Sequence, residues 1–356
     1  MMKPNPFGNH RADLLHYLLT PPSMLFSAAV RSRIFLYRHR ILPSYSLARP
    51  VISVGNLTTG GTGKTPMTDH LASVLSSRGL QVSILSRGYR GQSKERYLVV
   101  CRGNGPLVPP AECGDEPYLL AINHPSSAIV VGRDRYGCGQ VSEALFPRCV
   151  HLLDDGFQHL RLKRQINLLL LDAADPFRSN RLLPAGHLRE PRSAMQRADL
   201  ICITRSDQPF ERENLVRLIR RHNAQAPILF SRMEAQGLVE AGKSDLHAIN
   251  DYRGIPVAAF CGIARPHLFF AQLRELGLNL CWEKKFPDHH NYDCAELDRL
   301  QAESRQAGAG VWITTQKDEV KISRLGWKEM PLFFLRIGVG FEEESPLWSM
   351  LQERVG

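Results

Sequence analysis

No stretch of the sequence approaches the run of about 20 apolar residues that a membrane-spanning helix requires. The longest near the start, Met24 to Val30, stops at Arg31. The N-terminus also lacks the charged, apolar and small-residue layout of a secretory signal. The eight cysteines contain no C-x-x-C pair, so neither a zinc site nor a disulfide framework is indicated, and a reducing compartment is expected. Internal repeats and low-complexity tracts are missing. So are the RNP, zinc-finger and helix-turn-helix patterns of nucleic-acid readers, and no nucleic-acid partner is expected.

What is present suits a folded enzyme. The 356 residues are 43% hydrophobic and 22% charged, enough for two domains or for one large α/β domain with an annex. A net charge of +10 favours an anionic partner, such as a membrane surface or a phosphorylated metabolite. Residues 12 to 44 mix Leu25, Phe26, Ile34, Phe35 and Tyr37 with Arg31, Arg33, Arg38 and Arg40. That composition fits a basic amphipathic helix lying in a membrane interface, or a helix packed on the main domain with its arginines in water.

The stretch from Val51 to Pro66 organises the chain. An apolar strand, Val51 to Val54, runs into Gly-Asn-Leu-Thr-Thr-Gly-Gly-Thr-Gly-Lys-Thr, and a helical pattern follows at Met67, Leu71, Val74 and Leu75. Glycines at such a turn let backbone N–H groups point inward and cradle phosphate oxygens. Thr58, Thr59, Gly60, Gly61, Thr62 and Gly63 form the expected nucleotide cradle. Lys64 then reaches the β- and γ-phosphates, and the Thr65 hydroxyl binds Mg²⁺. Thr58 replaces the first glycine of the general P-loop pattern.

Further strands are expected at Gln81–Leu85, which alternates, at Ala128–Val131 and Val150–Leu153, and at Ile166–Leu171 and Leu200–Thr204, the last two nearly continuous apolar runs typical of a parallel sheet covered on both faces. The strand at Val150–Leu153 leads into Asp154-Asp-Gly-Phe-Gln-His159. A carboxylate leaving a strand end is the Walker B arrangement, with Asp154 favoured over Asp155 for the metal because it ends the strand. Two adjacent aspartates also demand a cation or an arginine nearby, and an Asp-Gly hairpin turn is the alternative. A loop at Leu182–Pro191 carries Arg189 and Glu190, which in isolation reads as a surface ion pair. The alternation indicates a doubly wound, mostly parallel P-loop sheet. The expected divisions are an N-terminal helical region at 1–45, a kinase core at 46–235 and a smaller C-terminal α/β domain at 236–356, with 235–252 as a linker or an edge.

These motifs, together with Ser86-Arg-Gly-Tyr89, Gly114-Asp-Glu-Pro117, Gly132-Arg-Asp-Arg135, Pro184-Ala-Gly186, Leu188-Arg-Glu-Pro191, Asp288-His289 and Lys317-Asp318, resemble in content and order the tetraacyldisaccharide 4′-kinase family, the lipid A 4′-kinases. The resemblance covers nearly the whole chain. It implies transfer of the γ-phosphoryl of ATP, with Mg²⁺, to the 4′-hydroxyl of a lipid-linked disaccharide 1-phosphate. The expected place is the cytoplasmic face of the bacterial inner membrane, where a monomer makes peripheral contact with anionic lipid. By the same resemblance Asp154 and Thr65 serve the metal with help from Glu190. Asp115 takes the proton of the sugar hydroxyl and His289 pairs with it, although a structural histidine is the alternative reading. Arg87, Tyr89, Arg135 and Arg189 become candidates for binding phosphate or sugar.

The competing reading is a membrane-associated P-loop ATPase switch that phosphorylates no small molecule. Such proteins place a signature lysine just before the paired glycines, where this chain has Thr59.

Overall fold

A computed structural model describes residues 10–355 except Arg90 and Ser244, with side chains from position 19 onward. The first nine residues and the side chains of Leu14, Leu15, Tyr17 and Leu18 therefore lie outside the described part of the expected N-terminal helix. The chain divides into two compact units, Met1–Arg232 with Gly340–Gly356, and Met233–Val339.

The first unit opens with α1 (His10–Arg38), then β1 (Val51–Asn56), α2 (Lys64–Ser77), β2 (Gln81–Ser86) and β3 (Leu98–Arg102). There follow α3 (Pro110–Cys113), α4 (Asp115–Asn123), β4 (Ala128–Val131), α5 (Arg135–Leu145), β5 (Cys149–Asp154), β6 (Ile166–Asp172), β7 (Leu200–Thr204) and α6 (Arg212–His222). Strand β1 lies between β5 and β6, parallel to both. On one side the order continues through β5, β2 and β4 to β3, and on the other through β6 to β7. Only β3, paired with β4, is antiparallel in this set. Every residue of β1, β5, β6 and β7 is buried, as continuous apolar strands covered on both faces must be.

The chain leaves β5 on one side of β1 and returns as β6 on the other. That reversal opens a crevice at the carboxyl ends of β1 and β5, where α/β sheets bind ligands. It also excludes the hairpin at Asp154–Gly156, because β5 and β6 flank β1 and do not pair with each other.

Strand β8 (Ile228–Glu240) carries the chain into the second unit, where β9 (Leu246–His247) pairs antiparallel with it. Residues 235–252 are thus a strand end and a hairpin, the edge of the two expected alternatives. Then come β10 (Pro256–Cys261), α7 (Pro266–Glu275), β11 (Asn279–Lys285), α8 (Cys294–Gln306), β12 (Val311–Thr315), α9 (Gln316–Ser323) and β13 (Leu332–Phe341). β10 pairs in parallel with β11 and β12, and β12 with β13. Phe260, Trp312, Leu297 and Leu300 fill one side of this unit, and Val257, Phe270, Ile313 and Phe333 the other.

The last element, α10 (Ser345–Val355), belongs to the first unit. It buries Leu347 and Leu351, and Arg354 pairs with Asp199 at 2.6 Å. The end of the chain therefore departs from the expected 236–356 domain: residues 340–356 find their apolar cover on the first unit.

Candidate active site

The turn after β1 carries the residues expected to cradle a nucleotide. Thr58 is buried and bridges to Leu188, and the Thr59 N–H donates to the His187 carbonyl at 2.8 Å. The departure from the general P-loop pattern thus has a local cause: this position pairs in extended conformation with the loop before Arg189. Gly60 and Gly63 take φ of +104° and +82°, a region that side chains disfavour, so the turn needs glycine at both. The Asn56 amide donates to the Thr62 hydroxyl at 2.7 Å and the Thr204 hydroxyl to the Thr62 carbonyl at 3.2 Å, which fix the turn to the ends of β1 and β7. α2 starts at Lys64 with Thr65 in its first turn, so the helix dipole and its first N–H groups face the same space.

The end of β5 supplies the carboxylates. Asp154 is buried and accepts from the hydroxyls of Thr68 and Ser86, each at 3.3 Å. Burial, then the negative fields of Glu116 and Asp155, push its carboxyl up to about 6, with Lys64 opposing them. Its neighbour is arranged differently. Asp155, at φ +50°, lies 3.7 Å from the Lys64 ammonium, and Arg189 Nη1 donates to both its oxygens at 2.9 and 2.8 Å. Burial alone would raise Asp155, but Lys64 and Arg189 outweigh it and hold the carboxyl below its ordinary range.

Arg189 and Glu190 do not pair with each other. Glu190 is 1% exposed and ion-pairs with Arg197, while its Oε1 is buried without a hydrogen-bond partner among the described residues. Adjacent residues in an extended segment point to opposite sides, which separates the apparent surface pair into a half-buried contact at Asp155 and a buried carboxylate at Glu190.

Two glycines bring the remaining residues of the first unit together. A Cβ on Gly88 would lie 2.2 Å from Val131, and one on Gly114 would lie 2.5 Å from the Tyr89 carbonyl. The Arg87–Tyr89 loop therefore packs directly on the turn that starts α4 with Asp115 and Glu116. Tyr89 itself is 68% exposed. Arg135 opens α5, donates from Nη1 to the Gly132 carbonyl at 2.6 Å, and keeps a buried Nε with no partner among the described residues. Burial lowers its pKa, while the fields of Asp154 and Asp155 raise it.

Glu116 is the residue that the sequence reading missed. Its only signal was adjacency to Asp115 in the Gly-Asp-Glu-Pro motif, and its effect on Asp154 comes from the packing of α4. Among the described residues, no three His, Cys, Asp or Glu side chains converge at metal-ligand spacing.

In the second unit His289 takes φ +63° and donates its N–H to the Gly262 carbonyl at 3.0 Å, with Nε2 3.8 Å from Asp288 Oδ2. The adjacent His290 is occupied otherwise. Its ring stacks on Phe286 at 4.5 Å and its Nε2 lies 2.7 Å from Glu296 Oε2.

Comparison with known proteins agrees with the geometry of the first unit. Residues 15–356 match the family described as Tetraacyldisaccharide-1-P 4'-kinase. The chain is 43% identical over 305 residues to a tetraacyldisaccharide 4'-kinase of Pelobacter propionicus, covering 86% of this chain and 82% of that one. It is 42% identical over 323 residues to the protein of that name from Geobacter metallireducens, covering 87% and 90%. A crystal structure of LpxK from Aquifex aeolicus in complex with ATP superposes with a TM-score of 0.80 at 32% identity, covering 96% of this chain and 100% of that one. A match of this extent, over a Gly-rich turn that ends in Lys64 and a strand that ends in Asp154, places the chain in the tetraacyldisaccharide-1-P 4′-kinase family.

Proposed function

We propose that this protein transfers the γ-phosphoryl group of ATP to the 4′-hydroxyl of a tetraacyldisaccharide 1-phosphate in lipid A biosynthesis. One observation carries the reading: a Gly-rich turn ending in Lys64 and a buried Asp154 meet at the carboxyl ends of adjacent parallel strands. A relative of known structure, LpxK from Aquifex aeolicus, is in complex with ATP.

Phosphoryl transfer asks the protein mainly to position and neutralise. The N–H groups from Gly60 to Lys64 and the Lys64 ammonium hold the β- and γ-phosphates. Asp155 and Arg189 keep the Lys64 side chain in place by a shared ion-pair network. The donor set suits Mg²⁺: the Thr65 hydroxyl, the Asp154 carboxylate in a local excess of negative charge, and the unpartnered Oε1 of Glu190. When bound, that ion neutralises charge on the transferring group. Asp115 is the base that takes the acceptor proton, with His289 as its tuning partner; the engagement of His290 with Phe286 and Glu296 supports choosing His289. Arg87, Tyr89 and Arg135 contact the phosphates or the sugar.

The acceptor is a lipid, and α1 supports delivery from a membrane surface. Met24, Leu25 and Phe35 are 69%, 74% and 55% exposed among its arginines, although no helix of the described chain is long and apolar enough to cross a membrane. The reading is peripheral contact of a monomer with anionic lipid at the cytoplasmic face of the inner membrane.

The test is transfer of label from γ-labelled ATP to the acylated disaccharide 1-phosphate. Label in the lipid is expected. Release of inorganic phosphate alone, with unlabelled lipid, would establish the ATPase switch instead.

A further inference from the structure

The second unit contains a buried carboxylate that the phosphoryl-transfer reading does not use. Asp318 stands in the first turn of α9 and is fully buried. Its Oδ2 accepts from the Thr315 hydroxyl at 2.6 Å and from the Gly262 N–H at 3.0 Å, and its Oδ1 accepts from the Tyr292 hydroxyl at 3.1 Å. Two of these donors bracket one segment. Gly262 passes the restraint on through its carbonyl, which accepts the His289 N–H at 3.0 Å, and Tyr292 lies three residues past His289.

The segment has little other slack. The Phe286 N–H donates to the Cys261 carbonyl at 2.9 Å and the Lys321 ammonium to the His290 carbonyl at 3.0 Å. A Cβ on Gly262 would lie 3.0 Å from His290 Cβ and 3.1 Å from Asp318 Oδ1, so the backbone needs glycine to come this close. His289 meanwhile holds φ +63°, a conformation that a non-glycine residue keeps only where its surroundings impose it.

We infer that Asp318 is a positioning residue for His289, fixing the backbone that presents the imidazole through Gly262 on one side and Tyr292 on the other. The inference rests on the reading in which His289 assists phosphoryl transfer. Asp318→Asn keeps the shape but replaces one acceptor oxygen with a donor, which faces N–H and O–H groups that are themselves donors.

The experiment is a double-mutant cycle in the full-length protein, with amide exchange measured alongside. In the wild-type background, Asp318→Asn is expected to lower kcat about tenfold or more, because small misplacements of a positioned group cost that much, and to leave the ATP KM within about twofold. In a His289→Ala background the same change is expected to alter kcat by less than about twofold. Tyr292→Phe, which removes one donor but keeps the ring, gives a smaller loss with the same dependence on His289. Where His289→Ala itself lowers kcat, equal losses in both backgrounds, or no loss in the first, overturn the inference. Should His289→Ala retain full activity, the role given to His289 falls. Positioning is still decided by exchange: faster exchange at the His289 N–H in Asp318→Asn, with Val257–Ala259 unchanged, upholds it, and unchanged exchange at His289 overturns it.

Discussion

Arg189 grips Asp155 with one nitrogen on both carboxylate oxygens, at 2.9 and 2.8 Å, and thereby divides the labour between two adjacent aspartates. Asp155 becomes a structural anion shared with Lys64. Asp154, held by the hydroxyls of Thr68 and Ser86 and ion-paired with no basic side chain among the described residues, stays outside that network. Four expectations follow for the protein in solution.

Asp154→Asn is expected to abolish phosphoryl transfer and yet stabilise the ligand-free protein. A carboxyl raised from 3.8 to about 6 favours folding fully only below its unfolded pKa, and that contribution is lost as pH rises through the folded value. The full cost of the ionised form is about 3 kcal/mol as an upper bound. Thermal unfolding with and without the substitution measures it. The variant should gain most near pH 8 and little near pH 4.

Arg189→Ala should let the Asp155 carboxyl rise, because the guanidinium, with Lys64 and Arg135, is one of the cations that hold it below its ordinary range. Lys64 then loses the anchored partner that orients it. Steady-state kinetics should show kcat down by about ten- to a hundredfold, and Arg189→Lys should restore part of it, because a single nitrogen makes both contacts and an ammonium offers the same kind of point donor.

Asp115→Asn tests the base. The residue stands in the first turn of α4, against the Arg87–Tyr89 loop, and is only half-buried, so the fold should survive the change. Loss of a general base costs about a hundred- to ten-thousandfold in kcat, with ATP binding retained. A folded Asp115→Asn protein with wild-type turnover would remove this residue from the mechanism.

Leu25→Ser with Phe35→Ser should weaken partition onto anionic vesicles while leaving the melting temperature unchanged, since both side chains are mostly exposed. Vesicle co-sedimentation at low and high salt separates the apolar contribution from the arginine contribution, as only the latter is screened. Unchanged partition of the double variant would leave α1 as a packing element.

Much of this architecture was legible because its signals are local. A parallel strand buried on both faces has to be a short apolar run. Ala128–Val131 and Leu200–Thr204 accordingly coincide with the observed strands, and a Gly-rich turn before Lys64 has to open a helix. The strands at Leu98–Arg102 and Asn279–Lys285 were not read: the second ends in the charged run Glu283-Lys-Lys285, and the first is an apolar run, Leu98–Cys101, that leads directly into a turn-rich passage.

The sequence alone determined the nucleotide turn, the strand that ends in Asp154, and the family, because each is carried by residues contiguous in the chain. Tertiary structure decided how those residues are used. It buried Thr58 against Leu188, sent Arg189 to Asp155 and Glu190 to Arg197, put Asp154 within the field of Glu116, and returned residues 340–356 to the first unit. Charge partners are chosen by which side chains meet when distant segments pack. Adjacency along the chain does not encode that choice, and at the P-loop it is the choice that ties Asp155 to Lys64 and Arg189 and leaves Asp154 to the hydroxyls of Thr68 and Ser86.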